Sequence, residues 1–214
     1  MQASFLNGVF YVFVLIMSVV IHEVAHGYSA YLLGDRTAYL GGRLTLNPIK
    51  HLDLFGSIIL PLLLILTNTG FVIGWARPVP YNPNNLKKGR FGKMIVAFSG
   101  IAANLTVAIV FGLLIRFASV FGLPAYNISP DHPFYIICSI IVLTNLILAL
   151  FNIIPIPPLD GSKIVFSFLP NKFRSVENFL ERWGVLLLLI FIIFIWGAVS
   201  PLVYKVFTIL TGIS

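Results

Sequence analysis

Five long apolar runs, separated by short polar gaps, limit what this chain can fold into. They occupy residues 5–33, 54–75, 94–121, 134–151 and 183–210. A helix needs about 20 apolar residues to cross a bilayer, and only helices and closed barrels satisfy their own backbone in lipid. Charged residues make up 10% of the 214, against roughly 25% in an ordinary soluble domain. A water-soluble globule is therefore excluded. The expected fold is an all-α polytopic membrane protein, a helical bundle forming one domain over residues 1–214. Its core would lie at about 5–165, with a C-terminal membrane helix region at 183–210.

Local breaks refine this outline. Gly56, Pro61, Asn68 and Gly70 make the 54–75 run a broken or re-entrant segment rather than a smooth helix. Residues 36–46, with β-branched and alternating side chains around Gly41-Gly42, read as a short β-hairpin or edge strand. The Pro/Asn/Lys-rich stretch 76–93 reads as an irregular loop. Pro201 and Lys205 interrupt the last run, which predicts a kinked extension or a surface helix. No Lys or Arg precedes Arg36, so the first run lacks the basic start of a cleaved signal and is expected to stay as a span. The single cysteine, Cys138, sits inside an apolar run and reads as core.

The net charge of +7 arises from 14 Lys and Arg against 7 Asp and Glu. In a nucleic-acid binder these cations would gather on one face; here they sit between apolar runs, and no nucleic-acid partner is expected. Three fall after the first run, five after the second, none between the third and fourth, and four after the fourth. If the 54–75 segment is re-entrant or crosses twice, all twelve lie on one side, as the positive-inside rule favours. A single crossing is the alternative. The favoured topology starts outside and brings the inner end of the first run to the cytoplasmic side.

The chemistry lies near that inner end. Residues 22–26 read His-Glu-Val-Ala-His, and helical residues four apart share a face, so His22 and His26 can bind one metal ion together. Glu23 lies on the flank, placed to reach a water rather than the metal. A satisfied polar cluster is the plainer reading. Yet three titratable groups within an apolar span each cost roughly 2.5 kcal/mol or more on insertion scales, which favours a zinc site, one per chain.

A catalytic zinc normally has three protein ligands. The fourth run delivers Asn152 and the segment Ile-Ile-Pro-Ile-Pro-Pro-Leu-Asp160-Gly161 to the same boundary. Its prolines cannot continue a helix, and irregular backbone at membrane depth must line a cavity or pack in protein. Asp160 is therefore the favoured third ligand, with His51 and Asp53 as alternatives and a plain helix cap as the non-catalytic reading. Asn152 is a candidate active-site hydrogen bonder. Asn104 and Asn145 read as links between helices.

In order along the chain, HEVAH, LNPIKHLDLFG, GWARPVPYNP, SGIAAN and FNIIPIPPLDG resemble the site-2 protease family of intramembrane zinc metalloproteases, in its short form without a PDZ domain. The resemblance spans roughly residues 20–165. It implies zinc on His22, His26 and Asp160, Glu23 as the catalytic glutamate, and Asn152 as the family's Asn before LDG. It further implies cleavage of a partner protein's transmembrane segment, with that protein and the bilayer as partners. Ile101 stands where the family usually has Pro, which leaves the helix near Asn104 open. The competing function is a membrane metal-ion or proton transporter using the same His/Glu/Asp cluster; the absence of an internal repeat argues against it.

Overall fold

In the computed structural model of the chain, the first apolar run is a single helix, α1 (Gln2–Leu32). All residues are described except 1, 60–62, 64–65, 68–76, 128 and 214. The contacts fall into two units, Met1–Gly92 and Lys93–Ser214. Along α1, Val14, Ser18, His22, His26 and Ala30 are buried. Their spacing of four draws one stripe down the helix, while Tyr11, Val12, Phe13 and Leu15 stay exposed. The helix ends at Gly34, whose φ of +106° suits glycine. The amides of Gly34 and Asp35 return to the carbonyls of Tyr31 and Ala30 at 3.0 and 2.9 Å, a Schellman closure.

The expected hairpin at 36–46 does not form, and the described residues contain no strand. Instead Thr37–Leu40 makes a one-turn helix, α2. Asp35 starts it, accepting bonds from the Thr37 amide at 3.2 Å and hydroxyl at 2.6 Å. Gly42, at φ +61°, ends it. Gly42 N–H donates to Tyr39 and Arg43 N–H to Ala38, at 3.0 and 2.9 Å. The glycine pair thus closes a helix rather than turning a hairpin, because a preceding carboxylate nucleates the helix first. Residues 43–47 then run without regular structure into a 3₁₀ turn, Pro48–His51. Leu54–Ile59 forms a π-type turn; the proposed break or re-entry across the remainder of 54–75 lies largely outside the described residues.

The long helix α3 (Gly89–Arg116), which belongs to the second unit from Lys93 onward, is unbroken through Ile101, which is fully buried. α4 (Pro133–Asn152) begins with proline at its first position and His132 as its cap, the ring accepting from Phe134 N–H at 3.3 Å. α5 (Asp160–Phe168) follows the proline turn, then α6 (Arg174–Ile190), a π-type turn at Phe191–Ile195 and α7 (Trp196–Thr211). The interruption expected at Pro201 thus falls one turn or more earlier; Pro201 itself is inside α7. Ala108, Ile115, Tyr135, Cys138, Val142, Leu146 and Val203 form the core. Among the described residues four stretches can cross a membrane by length and composition: Gly8–Leu32, Gly89–Arg116, Pro133–Asn152 and Arg174–Thr211.

Candidate functional site

The His22 and His26 rings meet as the helical spacing predicts. Their Nε2 atoms stand 3.0 Å apart with ring planes at 86°, and both side chains are buried. Two nitrogens bound tetrahedrally at zinc distances of 2.0–2.1 Å would be about 3.3 Å apart. The pair therefore already has nearly the spacing that one zinc ion requires of two ligands.

Glu23, one residue along and half-buried, turns aside. Its Oε2 accepts the Val79 amide at 2.8 Å. Val79 belongs to the irregular stretch 77–82, which is fastened to the loop after α2. The Arg43 guanidinium donates to the carbonyls of Lys50, Arg77 and Pro78, the latter two at 2.9 and 3.4 Å, and Arg77 N–H donates to His51 at 2.8 Å. Burial and the nearby Arg77 charge pull the Arg43 pKa below its ordinary value, against the opposing pull of Glu23.

Asp35 anchors the far end of the same stretch. It is fully buried and accepts from Asn82 N–H at 2.7 Å and the Asn85 amide at 2.9 Å, besides Thr37. Burial alone would raise its pKa; the hydrogen bonds together outweigh burial and hold it below 3.8. Asp35 is thus a structural carboxylate. His51, also fully buried, directs Nε2 at the Thr45 carbonyl, 2.8 Å away. Asp53 accepts the Gly56 amide at 2.7 Å. Asp35, His51 and Asp53 each hold a loop.

In the second unit Asp160 is buried in the first turn of α5, where the helix dipole favours a carboxylate. Leu159 occupies the cap position, so Asp160 is not the plain N-cap. Its Oδ1 receives Lys163 Nζ at 2.9 Å. The turn before it is pressed between neighbours. A Cβ on Gly161 would lie 2.2 Å from the Ile153 carbonyl oxygen, and one on Gly184 of α6 would lie 2.4 Å from that of Pro157. Ile154 and Leu159 pack with Phe191, beside Leu188 and Trp196.

Asn152 directs Nδ2 at the Leu148 carbonyl, 3.0 Å away, which occupies one of its two amide hydrogens. Asn104 and Asn145 form the expected link between helices, both fully buried with Nδ2 to Oδ1 at 2.8 Å. Sequence reasoning missed Val79, Arg43 and Gly184. Only Val79 left a usable signal, its place between two prolines.

Residues 116–191 match the model of Peptidase family M50. The chain is 42% identical over 194 residues to "Putative zinc metalloprotease YwhC" of Bacillus subtilis, covering 89% of this chain and 80% of that protein. It is 30% identical over 178 residues to "Putative zinc metalloprotease Rip2" of Mycolicibacterium smegmatis, covering 83% of this chain and 64% of that protein. No solved structure matches.

Proposed function

We propose, from the premise that the chain belongs to peptidase family M50, the site-2 protease family, and is a multi-pass zinc metalloprotease, that it cuts peptide bonds in or near the transmembrane segments of other membrane proteins and releases their fragments. One observation carries this reading: a buried pair of facing imidazoles lies within a 25-residue apolar helix, with a carboxylate beside it. Such groups in a span belong to function by default.

His22, His26 and Asp160 are the proposed ligands, three buried candidate donors. Zinc, when bound, supplies Lewis-acid polarisation of the scissile carbonyl. Glu23 takes the attacking water's proton at Oε1, because Oε2 is engaged with Val79, and returns it to the leaving amine. The remaining amide hydrogen of Asn152 donates to the developing oxyanion. A helical substrate must unwind to expose its peptide bonds. The backbone groups of Leu44 and Leu46 make no hydrogen bond among the described residues, which supports pairing with an unwound substrate strand there. Charged or proline substitutions through residues 43–46 should then impair cleavage of a membrane substrate. The twelve basic residues between the apolar runs support an active site toward the cytoplasmic face of the cell membrane.

Glu23→Gln tests the assignment in purified protein reconstituted with a single-span substrate. Zinc content should persist while cleavage disappears; cleavage at the parent rate would overturn the base assignment. Asp160→Ala should lower zinc occupancy. Unchanged occupancy would move the third ligand to His51 or Asp53.

A further inference from the structure

Proline lacks a backbone N–H, so Val79 provides the sole amide donor of the stretch Pro78-Val79-Pro80. That donor reaches Glu23, 56 positions earlier in the chain. The Val79 side chain is buried and lies so close to α1 that a Cβ on Gly27 would be 2.5 Å from its Cγ1. Gly27 is four residues beyond Glu23, on the same face of the helix. The absence of a side chain at 27 thus lets the segment lie against α1, and the two prolines limit its backbone freedom. From the other side Arg43 binds the carbonyls of Arg77 and Pro78, and through Lys50 it ties them to the loop after α2.

We propose that the Val79 amide positions Glu23 for its work as base, and that Arg43 is the residue that holds this amide in place. The proposal rests on Glu23 being the base. A glutamate on a helix surface samples several rotamers. An amide bond to one oxygen selects among them and leaves the other oxygen to receive the proton. Because the donor belongs to the backbone, the side chain at 79 does not provide it. Arg43 acts through the segment, touching neither Glu23 by a hydrogen bond nor the proposed ligands within the first unit.

The test compares Val79→Pro, Val79→Ala, Arg43→Ala and Arg43→Lys in the full-length protein. Val79→Pro deletes the donor and should lower kcat about tenfold, the scale of one hydrogen bond to a charged group, with KM and zinc content unchanged. Val79→Ala keeps the N–H and should be less impaired. Arg43→Ala should lower kcat in the same direction. Arg43→Lys should restore part of it, since an ammonium can reach one carbonyl but cannot fork between two. Amide exchange supplies a readout independent of turnover: Glu23→Ala should accelerate exchange at Val79 but not at Asn82, whose amide is held by Asp35. Parent kcat in Val79→Pro, an equal loss in Val79→Ala, or unaltered Val79 exchange in Glu23→Ala would each overturn the proposal. If Val79→Pro fails to fold, the Arg43 pair and the exchange measurement decide. Full cleavage by Glu23→Gln would remove the base reading itself, a separate result.

Discussion

The loops of the first unit and the proline turn of the second are held by opposite means. The stretch 77–85 is secured mainly by polar bonds: Asp35 accepts from Asn82 and Asn85, Arg43 donates to Arg77 and Pro78, and Glu23 accepts from Val79. The turn at 153–159 is secured mainly by close packing: Gly161 and Gly184 leave room for its carbonyls, and Phe191 covers Ile154 and Leu159. The difference follows from the jobs. His22 and His26 need only helical register to face each other, so loops outside the helix can be fastened by directional bonds. Asp160 begins a helix after an irregular turn, and dense packing, together with the Ser162 amide and hydroxyl donating to the Leu159 carbonyl, fixes where that helix starts.

The largest effects should therefore come from filling the packed turn. In Gly161→Ala the new Cβ meets the Ile153 carbonyl, a neighbour that cannot swing away. Overpacking of this kind costs about 1–3 kcal/mol and occasionally more. Because the shift moves Asp160, the proposed third ligand, zinc retention and cleavage should both fall steeply, measured by metal analysis and turnover on a reconstituted substrate. Gly184→Ala meets the Pro157 carbonyl from α6 and should act in the same direction but less, since a helix can tilt. If Gly184→Ala retained parent zinc content and turnover, the turn would not depend on α6.

Next in size is the polar anchor. Asp35→Ala strips four hydrogen-bond donors of their acceptor and should cost about 1–3 kcal/mol in detergent unfolding. Its pH signature has a fixed sign. The native pKa is depressed below 3.8, so the contribution is present above that value and is lost as pH falls through the native pKa. Asp35→Asn should accordingly unfold with a shallower acid limb than the parent. An identical acid limb in both would show that Asp35 is not the anchor.

The same contrast explains what could be read from the sequence. HEVAH placed His22, Glu23 and His26 because a helix converts spacing into direction without outside help. The four spans covered by described residues were legible from apolar length, and the Asn104–Asn145 link from two amides in lipid-facing runs. Residues 36–46 misled because Gly-Gly marks a hairpin turn and a helix end alike; the decision lay with Asp35, whose carboxylate starts α2. Gly184 was invisible because its role depends on Pro157, which only the folded chain sets against it.

The smallest expected effect sharpens the comparison inside the second unit. The Asn104–Asn145 bond is a polar tie within a packed core. If packing dominates there, a double-mutant cycle of Asn104→Ala and Asn145→Ala should return a coupling of only about 0.6 kcal/mol, the average for polar pairs between membrane helices. Each single change should add its own loss from the cavity left by a fully buried side chain, and the cycle cancels those terms. Turnover per bound zinc should stay at the parent level, because this pair joins α3 to α4 and carries no proton. A coupling several times larger would place directional bonding, rather than close contact, at the centre of the second unit, and would make its two helices resemble the loops around Asp35.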